Sequence, residues 1–93
     1  MTTFLKDPQA TLDYSIEWAD AGFAGQTILT SNWSLSPQEE GGLAILGEAL
    51  DGTKASVTLA AGIKRHAYRV ANRIALSGGL VEERSFTILV DER

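Results

Sequence analysis

The chain has 93 residues, enough for one domain and too few for two. Apolar residues make up 44% and charged residues 22%, the balance of an ordinary globular protein and the wrong one for disorder. The formal net charge of −4 argues against a nucleic-acid partner, whose phosphates are held by Lys and Arg, and the lack of cysteine removes disulfides, thiolate zinc sites and cysteine nucleophiles.

Met1 to Gln9 carries no charged-then-apolar signal pattern, and no apolar run nears the roughly 20 residues of a membrane span. The expectation is a complete, soluble, unsecreted chain forming one domain over residues 1–93. The missing cysteines fit synthesis in a reducing cytoplasm.

In chain order, the first clear element is Leu12-Asp13-Tyr14-Ser15-Ile16-Glu17-Trp18. Leu12, Tyr14, Ile16 and Trp18 alternate with small or acidic residues. This is period two, the mark of a strand buried on one face. Ala19 to Ala24, with Gly22 and Gly25, reads as a loop. Gln26 to Leu35 reads as a strand with Trp33 and Leu35 on the core side.

Leu43 to Leu50 is ambiguous. Its alanines and leucines favour helix, and Ser36-Pro37-Gln38-Glu39 imitates a helix start. Gly41-Gly42 and Gly47 oppose a helix. The Asp51-Gly52 turn signal favours a strand in a hairpin with Lys54–Leu59, where Val57 and Leu59 point inward. Segment 36–50 is therefore open between strand and partial helix.

The C-terminal third is a long hairpin. Tyr68, Val70, Asn72, Ile74 and Leu76 share one face, and Arg69, Ala71, Arg73 and Ala75 the other. Ser77-Gly78-Gly79 makes the turn. Phe86, Ile88 and Val90 then point inward, with Ser85, Thr87, Leu89 and Asp91 outward. About six short strands with regular turn signals suggest an all-β sandwich or barrel. Its predicted core is Leu12, Tyr14, Ile16, Trp18, Trp33, Leu35, Val57, Leu59, Tyr68, Val70, Ile74, Phe86, Ile88 and Val90. Tyr68 also suits a corner tyrosine, its hydroxyl tied back to upstream backbone.

No catalytic set emerges. His66, the single histidine, sits beside Lys64 and Arg65 at the foot of a strand without the partners a general base requires. Glu39-Glu40, Glu82-Glu83 and Asp91-Glu92 are neighbours, and neighbours on a strand diverge. They read as solvated charges, with no calcium-loop spacing. Asn32-Trp33-Ser34 matches the glycosylation pattern, but Trp33 is a core candidate and nothing signals secretion. The glycine pairs are turns, none followed by the Lys-Ser or Lys-Thr of a phosphate loop. No cofactor, metal or catalytic residue is assigned. Trp18, Trp33, Tyr14 and Tyr68 admit two readings, an inter-sheet filling or an exposed platform for a sugar or proline-rich peptide. Their place on the apolar side of each alternation favours the core.

The order and spacing of several short stretches resemble the phage fiber-tail adaptor proteins of tailed phages and prophages. These are Phe4-Leu5-Lys6-Asp7-Pro8, Leu12-Asp13-Tyr14 to Trp18, Thr27-Ile28, Ser31-Asn32-Trp33, Gly42-Leu43, Val57-Thr58-Leu59 and Gly62. Tyr68-Arg69-Val70-Ala71-Asn72-Arg73-Ile74, Gly79 and Glu83-Arg84-Ser85-Phe86 to Val90 complete the series. The segment Ser36–Leu50 departs from that pattern, richer in acid and alanine. The resemblance implies an immunoglobulin-like antiparallel β-sandwich of six to seven strands, with no catalytic residues to carry over. It further implies a virion protein near the tail or neck, made in the bacterial cytoplasm, whose partners are other tail, neck or fiber proteins, with oligomerisation in the assembled particle. For such an adaptor Phe4, Leu5, Phe23, Ile63 and Leu80, apolar residues outside the alternations, are the candidate contacts. The competing expectation, a carbohydrate- or surface-binding module, requires an exposed tryptophan on a concave face. An enzyme ranks last.

Overall fold

The structure, a computed structural model, describes residues 2–19, 23 and 25–92. The described residues form seven strands: β1 (Thr3–Lys6), β2 (Leu12–Glu17), β3 (Ile28–Ser36), β4 (Leu43–Asp51), β5 (Lys54–Ala61), β6 (Ala67–Leu76) and β7 (Val81–Val90). One sheet has the order β1-β7-β6-β3 and the other β2-β5-β4. Their inner faces share one core that includes Trp18, Leu59, Tyr68, Ile74, Phe86 and Ile88. The expected sandwich is therefore present, because period-two sequences present one apolar face each and two such faces bury one another.

β6 and β7 pair antiparallel from Ala67↔Leu89 to Ala75↔Val81. The hairpin expected from the sequence is thus longer than the alternation of Phe86, Ile88 and Val90 alone indicated. β4 and β5 also form a hairpin, closed by Asp51↔Lys54, so Gly52-Thr53 rather than Asp51-Gly52 makes the tight turn. Gly52 takes φ +61° at its first position, a conformation that favours glycine.

Segment 43–50 is strand. Helix propensity loses because β5 offers a full row of backbone partners, and such context overrides weak local preference. Residues Ser36 to Glu39 cap nothing: Ser36 ends β3, and the chain turns through 37–42 into β4.

Two features depart from the expectation. β1, which brings the count to seven of the six to seven strands expected, runs parallel to β7, with Phe4↔Ile88 and Lys6↔Val90, so the sandwich is not wholly antiparallel. Four residues are too short a run to show a period. Leu12, Tyr14 and Ile16 are only half-buried, because β2 is an edge strand bonded on one side. The other predicted core residues, Trp18, Trp33, Leu35, Val57, Leu59, Tyr68, Val70, Ile74, Phe86, Ile88 and Val90, are buried. Much of the loop expected at Ala19–Ala24 lies outside the described residues.

Lys6 closes one end of the sandwich. It is fully buried, and its ammonium donates to the carbonyls of Ala61 (2.7 Å) and Asp7 (2.9 Å). Ala61 takes φ +62°, a left-handed backbone uncommon for alanine, and its carbonyl is one of the two that Lys6 holds. Burial pushes the Lys6 ammonium below its ordinary pKa, opposed by the Asp7 carboxylate. A charge-assisted bond to each carbonyl offsets the cost of desolvating the cation.

Candidate functional site

Two polar clusters organise the interior and one end. Trp18 and Asn72 are both buried, and the indole Nε1–H of Trp18 donates to Asn72 Oδ1 at 2.9 Å. The Asn72 amide donates in turn to Ser31 Oγ (2.8 Å) and to the Asn32 carbonyl (3.3 Å). The guanidinium of Arg84 lies 4.5 Å from the Trp18 ring centroid. This network joins the end of β2 to β6 and β3 across the sandwich, and each bond satisfies a group that burial would otherwise penalise.

The second cluster is built on Tyr68. The Ile63 N–H donates to the Tyr68 hydroxyl at 3.1 Å, and that hydroxyl donates to Glu39 Oε2 at 2.6 Å. His66 Nδ1 lies 3.0 Å from the same oxygen. Tyr68 thus ties the β5–β6 turn to the β3–β4 turn, the tying-back anticipated for a corner tyrosine. Burial, then the Glu39 contact, raises the tyrosine pKa, while the Tyr68 and His66 contacts lower that of Glu39. Tyrosine, glutamate and histidine converge here, but the hydroxyl is spent on holding two loops and no nucleophile is freed. No group of three or more His, Cys, Asp or Glu residues placed to hold a metal occurs among the described residues.

The five candidate contacts do not form one surface. Phe4 and Leu5 are adjacent on β1 but on opposite faces. The Phe4 ring lies against Tyr14 (5.3 Å between centroids) and Phe86 (5.5 Å), where it covers the seam between β1 and β2. Leu5 stands on the outer face in register with exposed Leu89. Phe23 is half-buried, its ring 6.2 Å from that of Trp18. Ile63 is half-buried in the β5–β6 turn. Leu80, 61% exposed, stands at the β6–β7 turn beside exposed Val81.

The most exposed leucines escaped the sequence reading. Leu29 and Leu46 are 62% and 63% exposed. Each is the extra residue of a β-bulge, between Ile28 and Thr30 on β3 and between Ile45 and Gly47 on β4. A bulge places two residues opposite one and re-aims a side chain. It shows in sequence only as a break in alternation, and in the apolar run Leu43-Ala44-Ile45-Leu46 that break is hidden.

Neither tryptophan offers an exposed platform. Trp18 is 1% exposed and Trp33 7%, so neither indole can stack on a sugar. Both fill the space between the sheets, Trp33 edge-on to Phe86.

A search of curated proteins finds no match. The family described as podophage GP4 fiber-tail adaptor protein gp77 matches residues 6–89, from buried Lys6 to the end of the β6–β7 hairpin. The matched stretch holds both polar clusters and every strand but most of β1 and the last residue of β7, and on that extent the chain belongs to the podophage fiber-tail adaptor family.

Proposed function

We propose that the chain is a structural adaptor of a phage or prophage virion, joining tail or neck proteins to other tail or fiber components through protein–protein contacts. The observation that carries this reading is the family match over residues 6–89. The chain acts by binding and not by catalysis, without nucleic acid, cofactor or membrane. It works as one immunoglobulin-like domain over residues 1–93, in several copies in the particle, after synthesis in the bacterial cytoplasm. The strand order supports the immunoglobulin-like description: β2-β5-β4 faces β3-β6-β7, as three strands of one sheet face three of the other in that fold. The polar clusters support a scaffolding role, since they spend their hydrogen-bonding groups on rigidity.

The test is deletion of the gene from the phage that encodes it. Purified particles should lack fibers or distal tail components in electron micrographs, and supplying the chain in trans should restore them. Deletion particles with complete tails and fibers would refute the reading.

A further inference from the structure

The two sides of the sandwich end differently. On the side of β1 and β2, the edges are four and six residues long, and the rings of Phe4, Tyr14 and Phe86 cover the seam between them. On the other side β3 and β4 are edge strands of nine residues each. Each leaves a row of backbone N–H and C=O groups without a strand partner among the described residues, the kind of edge that another chain can extend.

Charge singles out this side as well. Every charged residue from Ile28 to Asp51 is acidic: Glu39, Glu40, Glu48 and Asp51. These four match the whole formal net charge of −4, and the rest of the chain is balanced. Neither β3 nor β4 carries a lysine, the residue that most often guards a free edge.

Gly47 supplies an independent observation. It stands in the middle of β4 without a positive φ, and a Cβ added there would meet none of the described residues within 4 Å. Neither the backbone conformation nor the packing of the chain itself calls for glycine, although glycine weakens a strand. Gly47 lines a groove of about 400 Å³ together with Ser15, Ser56, Ala49, Asp13 and Glu48. Lys54 is present too, in register with Asp51. A strand glycine facing open space suits the close approach of another backbone. Leu46 stands beside it, exposed by its bulge.

We propose that the free edge of β4 and the adjoining groove at Gly47 receive an extended, basic segment of another virion protein. Its backbone pairs along Gly47–Asp51, its Lys and Arg side chains meet Asp13, Glu48 and Asp51, and Leu46 supplies the apolar anchor. A second copy of this chain is the poorer occupant, because β4 against β4 brings like charges together. The assignment rests on the adaptor reading and adds to it the surface and the chemistry of the partner.

The experiment uses the full chain in assembling particles, with a benzoylphenylalanine photo-crosslinker replacing Leu46 or, as control, exposed Val81. Cross-links from position 46 should map to a Lys- or Arg-bearing extended segment of another virion protein. Gly47→Val and Leu46→Lys should lower incorporation into particles by about tenfold or more. The melting temperature of Gly47→Val should stay level or rise, since a β-branched residue suits a strand, and Val81→Lys, at an exposed position, should assemble as wild type. No cross-link from position 46, cross-links to a second copy or to an acidic segment, or normal incorporation of Gly47→Val would each overturn the assignment. Gene deletion separates the two readings. If particles lacking the chain keep their fibers, the adaptor reading fails; if they lose them while Gly47→Val assembles normally, only the β4 surface fails.

Discussion

Replacing Asn72 by leucine probes the interior most directly. The side chain is fully buried and satisfies the indole N–H of Trp18, itself 1% exposed, at 2.9 Å. Leucine keeps the branched heavy-atom skeleton, though its methyls are bulkier than the amide groups, and the acceptor is lost. Ser31 is half-buried and Asn32 exposed, so water can replace the amide there. The Trp18 N–H has no such recourse, and an orphaned buried donor costs about 1–3 kcal/mol. With a central cost of about 2 kcal/mol and an unfolding entropy of about 0.2 kcal/mol/K for a chain of this size, the melting temperature should fall by about 10 °C. Urea unfolding followed by tryptophan fluorescence measures the cost, and a cycle with Trp18→Phe isolates the bond. The two changes together should cost less than their sum by about 1 kcal/mol, because the double variant leaves neither partner orphaned. A cost for Asn72→Leu below about 0.5 kcal/mol, or simple additivity in the cycle, would refute the claim that this bond organises the core.

The remaining predictions concern the ends and the aromatic residues. Tyr68→Phe removes a hydroxyl that accepts from Ile63 and donates to Glu39; it should cost about 1–2 kcal/mol in urea unfolding and speed amide exchange at Ile63. The Tyr68 hydroxyl, then His66, holds the Glu39 carboxyl below its ordinary pKa. The unfolded chain therefore binds the proton more readily, so this stability is present above about pH 4.5 and is lost as pH falls through the lowered folded value; Glu39→Gln should flatten that part of a stability-against-pH curve, and an unchanged slope would count against the contact. Lys6→Met strips the Ala61 and Asp7 carbonyls of a buried cation; it should cost about 1–3 kcal/mol and accelerate exchange along β1 before the rest of the sheet. Iodide should quench tryptophan fluorescence weakly, since both indoles are buried; strong quenching would revive an aromatic platform.

Much of the fold can be read along the chain. In β6, Tyr68, Val70 and Ile74 alternate with Arg69 and Arg73, and the structure buries the first set and exposes the second. The candidate contacts were less legible. Apolar character outside an alternation picked out Leu80, which is exposed, but also Phe23 and Ile63, which are half-buried. It missed Leu29 and Leu46, because exposure there is set by bulges, and a bulge is a relation between two strands.

The sequence alone determined which side chains of β5, β6 and β7 face inward and, to within one residue, where their hairpin turns fall. Both follow from the geometry of neighbouring residues: successive side chains on extended backbone point to opposite faces, and glycine admits a positive φ. The tertiary structure decided the rest. It joined Trp18 to Asn72 across 54 positions, laid β1 parallel on β7, buried Lys6 and made Leu43–Asp51 a strand. Each of these depends on a partner distant in the chain, and a hydrogen bond or buried contact has no local signature until that partner arrives.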